Sequence, residues 1–270
     1  MTPSCPSPAS RPGSKPRQRY RSALRCQPFF LVMALFLAAC AGNKEAVRRQ
    51  AKAAYQLGVA FLAEGRPAPA LREFTKAVRL TPDDPKVHNA LGLAYWARRE
   101  VGEAERGFRR AVELKPDYSE AWNNLGALYL DTGRYGEAEE AFRQALNNVF
   151  YGTQERALTN LGWALYKQGR LEEAERRLRE ALEVAPGFPL AQKNLGIVLY
   201  DRGEYAEGLE HLTRAAKSLP QDAEVLLYRG LARLRTGDRD GARADLEKAW
   251  RLAPRTDVGK SAKTYLDLVE

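Results

Sequence analysis

Ser119 to Gly152 reads SEAWNNLGALYLDTGRYGEAEEAFRQALNNVFYG, and this stretch decides the fold because its marked positions return along the rest of the chain. Trp122, Leu125, Gly126 and Tyr129 are spaced so that they share one face of a helix, as do Ala138, Phe142 and Ala145 on a second helix. Gly133 lies between the two sets, where a helix C-terminus favours left-handed backbone. Leu57-Gly58, Leu91-Gly92 and Leu125-Gly126 follow at intervals of 34 residues; after a step of 36 comes Leu161-Gly162, then Leu195-Gly196 and Arg229-Gly230 at 34 again. A small residue stands twelve after each of these glycines (Ala70, Ala104, Ala138, Ala174, Gly208, Ala242), and a large apolar one four later (Phe74, Phe108, Phe142, Leu178, Leu212, Leu246).

Six units of two amphipathic helices follow, each too small to bury its apolar faces alone and therefore stacked on its neighbours. Gly65, Gly133, Gly169, Gly203 and Gly237 mark the turn inside a unit, and Arg99 takes that place in the second. Pro82, Pro116, Pro186, Pro220 and Pro254 close the second helices, since proline has no N–H and cannot extend the ladder; Phe150 replaces it in the third unit. This is the pattern of the tetratricopeptide repeat (TPR), which implies an all-α solenoid with a right-handed superhelical path. The units are read as 51–84, 85–118, 119–152, 155–188, 189–222 and 223–256. Residues 257–270, with Val258, Ala262, Tyr265, Leu266 and Val269 at helical spacing, are expected to be a capping helix.

The front of the chain has a different character. Residues 1–39 hold six basic and no acidic side chains, and Phe29 to Ala39 is an unbroken run without a polar side chain. Such a run makes a helix of about 16 Å, too short for a hydrocarbon core of about 30 Å, so a leader is expected rather than a permanent span. Leu37-Ala38-Ala39-Cys40 resembles the lipobox of bacterial lipoproteins. The resemblance implies a signal peptide over 1–39, diacylglycerol and further acyl chains on Cys40 with no other cofactor, and a lipidated tether over 40–50. Ala41 is not the aspartate that retains lipoproteins at the inner membrane, which implies the outer membrane, facing the periplasm. Cys5 and Cys26 would leave with the leader, so no disulfide supports the body.

With the leader's charge set aside, the formal net charge of +9 falls to 37 basic against 34 acidic residues, which argues against nucleic acid as a partner. No P-loop, HExxH or GxSxG pattern occurs, and no Cys or His pair has metal-ligand spacing. Neither an enzyme nor a small-molecule site is expected. His88 is read as a core or interface residue and His211 as a surface one, while the alternating Glu and Arg of 172–180 read as a solvated face.

In TPR proteins the first helices line the inner face. There the ninth and twelfth positions include Val59, Leu62, Leu93, Trp96, Leu130, Trp163, Tyr166, Ile197, Tyr200, Leu231 and Leu234. All are apolar or aromatic, which suits an amphipathic helix or an extended apolar segment of a protein partner; the alternative is that they pack only between units. The irregular joint Asn147 to Ala157, with Phe150-Tyr151 and Thr153-Gln154-Glu155, resembles that of the PilF/PilW/Tgl lipoproteins of type IV pilus biogenesis. Gly152 and Gln154 depart from that family, where prolines are common. The resemblance implies a pilotin that binds secretin subunits and promotes their assembly in the outer membrane. Outside the joint, the residues fit a general periplasmic TPR scaffold for cell-wall or export machinery equally well.

Overall fold

The computed structural model describes residues 27–269, with side chains from Lys44 to Leu268. Residues 1–26, part of the segment read as a leader, and the side chain of Cys40 lie outside the described residues. Thirteen helices are described: α1 (Gln27–Ala63), α2 (Pro67–Leu80), α3 (Pro85–Ala97), α4 (Val101–Leu114), α5 (Ser119–Asp131), α6 (Tyr135–Leu146), α7 (Gln154–Lys167), α8 (Leu171–Val184), α9 (Pro189–Asp201), α10 (Tyr205–Ser218), α11 (Ala223–Thr236), α12 (Arg239–Leu252) and α13 (Asp257–Val269). Residues 40–50, read as a tether, are helical within α1. No described helix is long and apolar enough to cross a membrane. The chain divides into two compact units, residues 1–49 and 50–270. The second holds the repeat array, a TPR solenoid in which helices from α2 onward pack against their neighbours in sequence, and the first helices α3, α5, α7, α9 and α11 also against one another in turn.

The spacing of 34 has a steric cause. A Cβ built on Gly126 would lie 2.7 Å from the ring of Phe142, so only glycine lets α5 and α6 cross with that ring between them. Phe74, Phe108, Phe142, Leu178 and Leu212 are wholly buried in this role. The turn glycines have φ between 70° and 92°, and Arg99 takes the same conformation at 64°. An L side chain is strained there by about 1–2 kcal/mol. Proline follows α2, α4, α8, α10 and α12 two residues beyond each end.

At three of the joints between repeats, the fourth position of the first helix reaches back six residues to that proline's carbonyl. His88 Nε2 lies 2.7 Å from the Pro82 oxygen, Trp122 Nε1 donates to Pro116 at 2.8 Å, and Gln192 Nε2 donates to Pro186 at 2.8 Å. Three chemically different side chains thus close the same turn. The joint after α6 lacks the proline and has Leu158 at the fourth position of the repeat 155–188. Tyr151 plugs it instead, packing on Ala145 and Ala157. The loop is held by Asn148, whose side chain accepts from Phe150 N–H at 3.0 Å, and Phe150 is turned out to solvent.

At the far end α13 covers the last repeat. Ala262 and Leu266 are buried against α11 and α12, Val258 is partly buried, and Tyr265 is exposed; the side chain of Val269 lies outside the described residues.

Candidate functional site

The first-helix positions do not form one uniform strip. Val59 is 43% exposed, while Leu62, Leu93, Trp96, Leu130, Trp163, Tyr166, Tyr200 and Leu234 are partly buried. Ile197 has no accessible surface and Leu231 only 7%, so neither is free to meet a partner. Ile197 packs on Leu212 and Ala232, and the rings of Trp163, Tyr166, Tyr200 and Tyr228 roof it over. These two side chains belong to the core, and the accessible surface passes to the rings above Ile197.

Those rings are held in place from several sides. Trp163 and Tyr166 stack with centroids 4.6 Å apart, and the Lys167 ammonium lies 4.7 Å from the Trp163 centroid and 5.4 Å from that of Tyr166. Tyr200 meets Tyr228 edge-on at 5.6 Å. The Tyr166 hydroxyl donates to Asp201 Oδ2 at 2.7 Å; burial first, and the neighbouring carboxylate second, push its ionisation well above the ordinary range. It therefore stays a neutral donor throughout physiological pH.

The same device recurs two repeats earlier, where Trp96 Nε1 donates to Asp131 Oδ2 at 3.2 Å. In both cases the twelfth position of one repeat donates to the thirteenth of the next. Leu93, Trp96, Ala97, Arg99 and Asp131 surround an open recess of about 410 Å³. With their polar tips occupied and their apolar faces partly bare, Trp96 and Tyr166 can receive apolar side chains with little loss of rotamer freedom.

Sequence reasoning missed the polar ties between repeats. Glu105 accepts from Arg134 Nη1 at 2.7 Å and from the Tyr129 hydroxyl at 3.0 Å, and the Arg134 hydrogen bond, ahead of the smaller contributions, holds its carboxyl below the usual range. Glu139, 5% exposed, accepts from Arg170 at 2.8 Å and from Gln168 at 2.9 Å. Burial alone would raise its pKa, but the two hydrogen bonds, with the charges of Arg143 and Arg170, together lower it. Glu175 and Arg202 form a third such pair. A signal was present in the sequence: each glutamate directly follows the invariant small residue of the register, Ala104, Ala138 or Ala174.

Asn124 donates to Asn89 at 3.0 Å and Asn160 to Asn123 at 3.2 Å, adding side-chain ties between first helices. His211 corrects an expectation, since it is buried, with Nδ1 2.6 Å from Gln192 Oε1. Desolvation, followed by the nearby Arg214 charge, pushes its pKa down. Among the described residues no cluster of His, Cys, Asp or Glu could hold a metal ion.

Comparison with known proteins agrees with this architecture. The family model described as the Cilia and flagella-associated protein 70 C-terminal domain matches residues 32–225, and a tetratricopeptide-repeat model matches 224–256. No curated protein sequence matches the chain. Among solved structures, Pseudomonas aeruginosa pilF superposes with a TM-score of 0.74 at 22% identity, over 83% of this chain and 99% of that one. PilW, described as a widely conserved type IV pilus biogenesis factor, gives 0.70 at 22% identity, over 79% and 98%. YrrB, described as a TPR protein with an unusual peptide-binding site, gives 0.54 at 23% identity, over 71% and 97%. At these identities the likeness is one of fold.

Proposed function

We propose, from the premise that this chain belongs to the tetratricopeptide-repeat family of the Cilia and flagella-associated protein 70 C-terminal domain, that it is an outer-membrane lipoprotein that binds a protein rather than transforming a substrate. Its partner in this reading is a type IV pilus secretin subunit, which it carries to the outer membrane for assembly. The observation that carries the reading is the near-complete coverage of pilF and PilW by one six-repeat array, 99% and 98% of those chains. The lipobox ending at Cys40 and the Phe150-Tyr151 joint support it from the sequence side.

Acyl chains on Cys40 would hold the protein at the inner leaflet of the outer membrane. At about 0.8 kcal/mol per buried CH₂, one chain binds marginally and two or more bind firmly. The partner segment would lie along the first-helix face, with the bare faces of Trp96, Trp163, Tyr166 and Tyr200 as anchors. Cys40→Ala should leave a folded protein while secretin multimers are lost from outer-membrane fractions. Trp163→Ala with Tyr166→Ala should abolish capture of the purified secretin subunit at unchanged helical circular dichroism. Normal multimers in the first case, or undiminished capture in the second, overturn the corresponding half of the reading.

A further inference from the structure

The second helices of the array treat their cations in two ways. On α4, α6, α8 and α10 every arginine reaches a carboxylate: Arg106, Arg109 and Arg110, then Arg143, then Arg176, Arg177 and Arg179, then Arg214; single lysines, Lys217 on α10 and Lys248 on α12, do not. On α2, the equivalent helix of the first repeat, Arg72, Lys76 and Arg79 have no ion pair with any described residue. They recur at four and three residues and so share one face. Glu73, the one acid of α2, is a step of about 100° away from Arg72 around the helix.

These three cations, with Arg98 from the turn after α3, rim an open recess of about 600 Å³ whose apolar lining includes Leu71 and Leu80. Arg98 is also bound to Glu100 at 2.6 Å, so its charge is shared. The lining also includes Gln50, which places the recess where the chain enters the array. The charge balance along the sequence repeats the local contrast: residues 44–80 hold eight basic and three acidic side chains, and residues 81–270 hold 29 and 31. The excess at this end is shared with residues 44–50, which hold three basic and one acidic side chain; the first repeat itself, residues 51–84, holds five and four, so what marks it is the gathering of its unpaired cations on one face of α2.

An unpaired cationic face around an apolar floor is complementary to a surface that is anionic outside and hydrocarbon beneath. We propose that the Arg72, Lys76 and Arg79 face of α2 docks on anionic phospholipid, the cations taking lipid phosphates and Leu71 and Leu80 facing the glycerol and upper acyl region. The proposal deepens the reading of Cys40 as an anchor, because the face lies on the repeat nearest to that residue in sequence. Acyl chains alone leave the body free to turn on its attachment; a second, electrostatic contact fixes which side of the array is presented to the membrane.

The test uses the full chain, its R72Q/K76Q/R79Q variant, and both in a Cys40→Ala background. Each is floated with vesicles of phosphatidylcholine alone and of phosphatidylcholine with phosphatidylglycerol, at low and high salt. The parent should prefer the anionic vesicles. The triple variant should lose at least about tenfold of that preference, since each cation near such a surface contributes measurably, and high salt should erase the difference. The contrast between parent and triple variant should survive in the Cys40→Ala background, whereas failure of the lipoprotein reading would appear as Cys40→Ala having no effect on attachment in cells.

Equal binding of parent and triple variant to anionic vesicles overturns the proposal. So does a parent that ignores vesicle charge, or one that binds an oligoglutamate peptide through these residues and not the vesicles. All three substitutions are at partly or fully exposed positions, and matching thermal unfolding curves identify the variant as folded.

Discussion

Repeats one to three and repeats four to six are written in the same register, yet they place their aromatic rings differently. Both halves carry rings on first helices, but in the first half the buried filler of the second helix is also a ring, Phe74, Phe108 and Phe142; in the second half the filler is Leu178, Leu212 and Leu246, and the first-helix rings Trp163, Tyr166, Tyr200 and Tyr228 converge on one cluster. The ninth position responds to the change: Val59 remains exposed, while Ile197, under the four rings, is sealed. An apolar residue at a given register position can therefore be surface or core, and the neighbours decide which.

The contrast can be broken most forcibly at the ninth position. Ile197→Ala should cost about 2–5 kcal/mol, the range for a buried aliphatic truncation that leaves a cavity, and Val59→Ala no more than about 0.5 kcal/mol. Paired denaturant titrations check this, and equal losses would show that the two halves are not packed differently.

A smaller effect belongs to the tie between repeats three and four, where the halves join. Glu139→Gln should cost about 1–3 kcal/mol, because Arg170 and Gln168 lose a buried charged acceptor. The pKa of Glu139 is lowered in the folded state, so its contribution is complete above the unfolded value of about 4.3 and fades as pH falls through the folded value. Chemical denaturation at neutral and acid pH should find the parent losing stability toward acid faster than the variant. His211 adds a second slope of the same sign. Its lowered pKa means that stability is complete above about 6.5 and declines as pH drops below it.

The smallest expected change is at the turn of the second repeat. Arg99→Gly should stabilise by about 1 kcal/mol through relief of the positive φ. The exposed contact of Arg99 with Asp131 at 3.4 Å is too weak to offset that. Gly133→Ala, at φ 75°, should shift the melting temperature in the opposite direction.

Helix count, turn glycines and closing prolines were legible in the sequence because each depends on a local rule repeated six times. The exception at Arg99 was legible for the same reason, and its backbone takes the conformation its position requires. The sealing of Ile197 was not, since it depends on four rings from α7, α9 and α11 that the register alone cannot bring together. His211 was misread as a surface residue because its partner, Gln192, lies nineteen positions away on another helix. The Glu105, Glu139 and Glu175 ties escaped for a related reason. Charged residues are abundant on these helices, and periodicity marks the apolar face without saying which charges lie at its border.

The ties at Glu105, Glu139 and Glu175 have a consequence for how such a chain can change over time. Each links one repeat to the next through a glutamate and an arginine that recur with the repeat itself, or nearly so. Repeats three and four each carry both halves, Arg134 with Glu139 and Arg170 with Glu175, so duplicating or deleting one of them brings a matching half-joint to each new neighbour, and no central core has to be rebuilt. Length becomes an independently adjustable property, and the array can serve as a ruler whose reach is set by counting repeats.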